Sequence, residues 1–421
     1  MRARRLARTS SYDLPLVAIV LALVAIGLAM VYSASGIRAL DTVDDPAYYL
    51  VLQSAWAALG ILGMVAAARV DHRRLRALGL PLVVLSVALL VAVLVPGIGS
   101  CAGGACRWLR VSSFAGVQPA ELAKLALILY LAFWLAARRD RIASAGTTAA
   151  FLALVAATAG LVVAEPDLGT ALVIGAIALA VWFAAGARLL AFALLGSLAA
   201  TAALALTIAQ PYRLQRLLTF LDPWSDPRGS GFQTIQSLYG LALGGPFGEG
   251  LGAGKEKFGF LPAPYTDSIF AVIGNELGLL GTLSVIFLFL ALAFRGTRIA
   301  LRAPDAEGAL LAIGITTWLS TQAWLNMAVV ASLVPMTGIT LPFISYGGSS
   351  LCVGLFAVGI LLSVGRAGAL AGADGPGLPR APRGRGDRRS REPAARGRGG
   401  DAGARPGRAL PLPWRSTRTR G

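Results

Sequence analysis

Ten apolar runs, each about long enough to cross a bilayer, divide this chain at 14–34, 49–68, 77–98, 118–137, 146–164, 168–186, 189–209, 267–294, 308–333 and 341–364. A hydrocarbon core takes roughly 20 residues of helix. Inside it a backbone N–H or C=O has no water to bond, so runs of this kind are helical. Composition agrees: 14% of residues are charged, against roughly 25% in ordinary soluble domains, and the mean hydropathy is +0.69. The expectation is an all-α polytopic membrane protein with ten transmembrane helices. The basic start followed by a long apolar run reads as a retained first helix, because nine more spans follow it.

Cytoplasmic loops of membrane proteins carry an excess of Lys and Arg. With ten spans both termini share a side. That side holds Arg2, Arg4, Arg5, Arg8, Arg69, Arg73, Arg74, Arg76, Arg138, Arg139, Arg141, Arg188, Arg295, Arg298 and Arg302, whereas the opposite short loops hold Arg38, Arg107 and Arg110. Fifteen against three puts both termini in the cytoplasm and a large 210–266 loop outside, between helices seven and eight. From Arg366 onward, 14 arginines face four carboxylates in a Gly-, Pro- and Ala-rich stretch without aliphatic periodicity. The chain therefore divides into a membrane domain over 1–366 and a disordered cytoplasmic tail over 367–421. The tail's charge suits anionic lipid or a docking partner. No nucleic-acid-binding module accompanies it.

The chain has one histidine, His72, in a cytoplasmic loop, so acid–base chemistry on the outer face must rest on carboxylates. Cys101 and Cys106, in CAGGAC, either form a disulfide in an oxidising compartment or stay free. Cys352 reads as packing. Charges at membrane depth are costly and tend to be kept for function or a fixed contact. Glu121 and Lys124 share a helix face at i and i+3; they form a structural ion pair, or Lys124 joins Arg107 in a basic pocket for a phosphorylated ligand. Asp167, after Pro166, suits a helix cap, and Glu165 sits in the same turn. The 210–266 loop is long and glycine-rich, as functional loops tend to be, and its glycines permit close approach to a ligand. Within it Arg213 and Arg216 lie three apart, and 232–243 reads as a short amphipathic or re-entrant helix with Gln233 and Gln236 opposite its apolar face.

Asp267 stands where the chain re-enters the apolar phase. Glu276 is nine positions on, half a turn beyond two full turns, so in a regular helix the two carboxylates face opposite ways. Asp267 then faces the loop and Glu276 the bundle. The last run opens PMTGITLPFISYGGSSL, where Pro342, Gly347 and Gly348 break a regular helix and Ser345, Tyr346, Ser349 and Ser350 add hydroxyls. Broken backbone at membrane depth lines a protein-enclosed or wet cavity. Asn326 is a further candidate to line it.

In order along the chain stand RW with QPAELAK, EPDLGTA, FLDPWSDPRGSGFQTIQSL, LPAPYTDSIFAVIGNELG and LPFISYGGSSL. The ordered set resembles the SEDS family of peptidoglycan glycosyltransferases over about Leu14 to Gly365, and FLDPW with GITLPFISYGGSS is closer to its FtsW branch than to RodA or SpoVE. The resemblance implies ten helices in the cytoplasmic membrane and polymerisation of lipid II on its outer face, with undecaprenyl pyrophosphate leaving. It makes Asp267 the catalytic base. Arg107 and Lys124 would hold the diphosphate, with Arg213 and Arg216 assisting, Trp108 against lipid or sugar, and Ser345 and Ser349 in the binding wall. Glu121, Glu276, Pro342, Gly347 and Gly348 fall to structural roles. No cofactor is certain; a divalent cation, Mg or Mn, on Asp267 stands beside the base reading. Implied partners are a class B penicillin-binding transpeptidase and proteins of the division or elongation complexes. The family often has PEAHTD where this chain has PAPYTD, and Gln where it has Glu165. A transporter of lipid-linked precursors, or a non-catalytic septal scaffold, is the alternative reading.

Overall fold

The computed structural model describes residues 12–102, 105–110, 116–254, 261–262 and 264–373. Met1–Gly375 form one unit and Pro376–Gly421 a second; of the tail expected to be disordered from 367, residues 367–373 are helical, and the rest lies outside the described residues.

Each of the ten expected runs holds a helix. In chain order these are α1 (Leu14–Val43), α2 (Tyr48–Arg69), α3 (Arg76–Leu94), α4 (Pro119–Ala136), α5 (Ala145–Ala164), α6 (Leu168–Ala184), α7 (Leu189–Ile208), then after two short helices α10 (Ile269–Leu301), α11 (Ala306–Val330) and α12 (Gly348–Ala373). The short ones, α8 (Pro211–Leu221) and α9 (Phe232–Leu243), lie in the long loop, and α9 is the expected 232–243 helix. Among the described residues eight helices are long and apolar enough to cross a membrane, and α6 is apolar but only 17 residues long. The chain is a multi-pass membrane protein.

Local chemistry sets the ends. Asp13, Ser144, Asp167 and Asp305 each accept a backbone N–H from the first turn of the helix they precede, which satisfies donors the helix leaves orphaned. Pro119 and Pro211 occupy first turns, where a missing N–H costs nothing. The most enclosed span is α4, sandwiched among α3, α6 and α11, whereas α7 buries none of its residues. Along its length α12 packs on α2, where a Cβ on Gly359 would fall 2.4 Å from the Met64 carbonyl. Small residues let membrane helices approach this closely.

Three expectations change. The chain is not purely helical: β1 (Gly99–Ala102), β2 (Ala105–Arg110) and β3 (Gly116–Val117) form an antiparallel sheet before α4. Cys101 and Cys106 pair across its first hairpin and are disulfide-bonded. The last helix starts at Gly348 rather than 341, because Pro342 and the backbone hydrogen bonds of 341–346 hold an irregular segment there. And α10 is broken at Gly278, whose φ of 65° departs from helix. There the segment 244–250 lies against the break: Leu279 N–H donates to Gly245 O at 2.8 Å, and Glu249 and Gly250 N–H donate to Asn275 O and Glu276 O at 3.0 and 3.1 Å. Gly244 and Gly248 here allow close approach to a helix; a Cβ on Gly244 would sit 1.8 Å from Gly274 O.

Candidate functional site

Asp267 lies in a turn over 264–268, ahead of α10 rather than within it. The helical-phase argument therefore does not apply to it, yet the two carboxylates are separate. Glu276 accepts Ser33 Oγ at 2.6 and 2.7 Å and Gly252 N–H at 3.0 Å, inside the bundle. The backbone around Asp267 is clamped on several sides. Asn326 Nδ2 donates to Asp267 O at 2.8 Å and to Ile339 O at 2.7 Å. Ser345 Oγ donates to Thr266 O and accepts from Leu341 N–H, and Tyr346 N–H donates to Tyr265 O at 2.8 Å. The irregular 339–347 segment is thus the brace that presents Asp267.

The half-buried Asp267 carboxylate accepts Thr266 Oγ1 at 3.1 Å and faces Gln233 Nε2 at 3.5 Å; Gln233 is itself held by Ser268 Oγ at 3.0 Å. Burial pushes its pKa up, against its own backbone N–H, Thr266, Gln233 and Arg216, which pull it down. Gln233 also lines a cavity of about 260 Å³ with Tyr212, Arg216, Ser230, Pro262 and Met336. Here α8, α9 and the 331–347 segment meet beside a carboxylate.

The cations divide. Arg216 lies in the cavity wall, where its guanidinium donates to Met336 O at 3.1 Å and stacks 4.5 Å from the Tyr212 ring centre. Burial lowers its pKa; Arg107 lowers it further, while Asp267 and Asp167 raise it, so these four charges share one electrostatic neighbourhood. Arg107, on β2, donates to Glu165 O at 3.2 Å and to Pro166 O, with Asp167 at 4.0 Å. Arg213 instead ties α8 to the ends of α5 and α7 through Val163 O and Leu206 O. Lys124 is 1% exposed, with its ammonium 2.7 Å from Glu121, 2.6 Å from Gln322 Oε1 and 5.0 Å from the Trp318 ring. Of the two readings of Lys124, the geometry is that of an enclosed ion pair, not of an open phosphate pocket.

Other expected residues support the frame. Trp108 sits half-buried in β2 against Gly116. Ser349 Oγ accepts Gln118 N–H at 3.3 Å, which links α12 to the start of α4. Gly347 N–H donates to Gln53 Oε1, and Gly348 leaves room for Trp56. Sequence reasoning passed over Gln53, Gln322 and Ser33; the amides were detectable as polar residues inside apolar runs, but a lone serine carries no such signal. Tyr265, where the family often has His, packs tilted against Tyr49 at 4.9 Å and edge-on to Tyr346 at 5.8 Å. Ala263 lies outside the described residues. Glu165 is fully buried, both oxygens lack a hydrogen bond among the described residues, and burial then Asp167 push its pKa up to about 8 against Arg107. Among the described residues no three His, Cys, Asp or Glu side chains are grouped to hold a metal ion.

A family model described as "Cell cycle protein", covering FtsW, RodA and SpoVE, matches residues 14–369. The "Probable peptidoglycan glycosyltransferase FtsW" of Trichlorobacter lovleyi is 44% identical over 85% of this chain and 94% of its own length. "Stage V sporulation protein E" of Bacillus subtilis is 43% identical over 85% and 98%. A solved structure describing the structural coordination of polymerization and crosslinking by a peptidoglycan synthase complex contains a chain 35% identical, with a TM-score of 0.70 and coverage of 85% and 98%. The rod shape determining protein RodA of Thermus thermophilus is 30% identical, with a TM-score of 0.63 and coverage of 84% and 97%. Sequence, fold and motif order agree, and the chain belongs to the FtsW/RodA/SpoVE family of cell cycle proteins.

Proposed function

We propose that this chain is a peptidoglycan glycosyltransferase that polymerises lipid II, with residues 1–366 as the catalytic membrane domain. One observation carries the reading: a braced, half-buried carboxylate, Asp267, faces Gln233 at 3.5 Å, and Gln233 and Arg216 line one cavity. Lengthening a glycan needs a base for the attacking sugar hydroxyl and cations for the departing diphosphate. Asp267 takes the proton as the hydroxyl oxygen bonds the anomeric carbon, and the bond to the undecaprenyl pyrophosphate oxygen breaks. A carboxylate raised by burial is a better base near neutral pH than an ordinary one. Arg216, with Arg107 nearby, stabilises the charge that develops on the diphosphate.

The orientation follows from the arginine distribution: ten spans, termini in the cytoplasm, and the 210–266 loop with its cavity on the outer face of the cytoplasmic membrane. Higher identity to FtsW-named relatives than to RodA supports a role in division. The likeness to a chain of a peptidoglycan synthase complex supports pairing with a class B penicillin-binding transpeptidase and, through it, with division proteins. The test is to supply labelled lipid II to the purified chain in liposomes, with and without that transpeptidase. Glycan polymer is the expected product. Lipid II moved across the bilayer with no polymer would instead establish the transporter reading.

A further inference from the structure

A second cavity lies at the end of α10 opposite to Asp267. It measures about 680 Å³ and is walled by Tyr12, Asp13, Arg295, Arg298, Ile299 and Arg302, with Gly365 and Gly368 of α12 leaving the room. The start of α1 and the ends of α10 and α12 frame it. Arg295 is neutralised by Asp13 at 2.6 Å. Among the described residues no carboxylate pairs with Arg298 or Arg302, and both are exposed. Arg366 adds a fourth cation at the rim, donating to Tyr12 Oη at 2.9 Å. Three guanidinium groups therefore share the cavity wall with one carboxylate, and Arg366 stands next to Tyr12 at its edge.

Directly along the same helix runs an apolar face. Phe287, Leu290 and Phe294 are exposed by 68%, 51% and 63%, and with Arg298 they recur at helical spacing, so the four share one side of α10, with Arg302 at its C-cap. Arg298 lies 6.0 Å from the Phe294 ring centre. A solvated arginine flank would need no cavity, and a lipid-facing helix alone would need no uncompensated cations converging on one. We infer that this cavity binds an anionic phospholipid: its phosphate sits among Arg298, Arg302 and Arg366, and its acyl chains lie along Phe294, Leu290 and Phe287. The guanidinium fork suits phosphate oxygens, and basic pockets between membrane helices take anionic headgroups. A zwitterionic lipid brings its own cation and gains little here.

Native mass spectrometry of the full chain, released from micelles doped with phosphatidylglycerol, cardiolipin or phosphatidylcholine, tests the site. The wild type is expected to retain the anionic lipids and to shed phosphatidylcholine. Arg298→Ala/Arg302→Ala is expected to weaken phosphatidylglycerol retention about thirtyfold, taking about 1 kcal/mol per arginine. Both side chains are exposed, so an unchanged thermal melt checks the fold, and Arg302→Gln alone should give part of the loss. Arg139→Ala/Arg141→Ala, which removes two exposed arginines outside the cavity, should bind as wild type. Millimolar inorganic phosphate should fail to compete, because it has no chains to lie on α10. Equal retention by wild type and double variant, equal loss in the Arg139/Arg141 control, or displacement by free phosphate would each overturn the proposal.

Discussion

Three buried ionisable residues show how position decides what a residue can do. Lys124 and Glu121 are enclosed together, and Glu121 keeps one oxygen without a hydrogen bond among the described residues. Removing only one partner strands the other in a dry interior. Lys124→Met is therefore expected to cost about 3–5 kcal/mol, and Glu121→Leu/Lys124→Met to recover most of that, as read from thermal melting in detergent. A single variant as stable as the wild type would return Lys124 to the phosphate-binding reading. Glu165 behaves differently, because it keeps its proton in the folded chain up to about pH 8, against an ordinary value of 4.5. Between those values the unfolded chain gives up a proton that the folded chain retains, so stability falls as pH rises. Glu165→Gln removes this dependence, and its melting temperature should exceed that of the wild type by more at pH 8 than at pH 5. The same gap at both pH values would mean that Glu165 is already ionised when folded.

At the level of elements, the ten apolar runs and the short 232–243 helix were legible because hydrophobic length and spacing are local properties. The break in α10 was not. Its apolar run continues through Gly278, and what opens the helix is the distant 244–250 segment donating to its carbonyls. Nor was the sheet before α4, where cystine and strand pairing, rather than a long apolar pattern, organise the chain. Gly244 tests the element directly. With Gly274 O 1.8 Å from where its Cβ would be, Gly244→Ala must push the segment off α10, at a cost of about 1–3 kcal/mol. A melting temperature equal to the wild type's would show that the segment is not docked there.

Across the whole molecule, two regions lie at separate parts of one helical bundle: a braced carboxylate with its arginine-lined cavity, and a basic lipid-sized cavity framed by α1, α10 and α12. Asp267, Arg107 and Arg216, which the motifs singled out, act on one another electrostatically in the structure. Motif order could not separate Arg213 and Lys124 from them, because the partners that hold a basic side chain come from elements distant in sequence. Nor could it reveal that Asn326 and Ser345 brace the Asp267 turn rather than line a cavity. The central claim is that Asp267 is the base, and the most direct measurement is lipid II polymerisation by Asp267→Asn. The amide matches the carboxylate in shape and cannot take a proton. Glycan polymer should fall to background, on the order of 10²–10⁴-fold below wild type, with melting temperature and membrane insertion unchanged. Polymer at the wild-type rate from that variant would contradict the account.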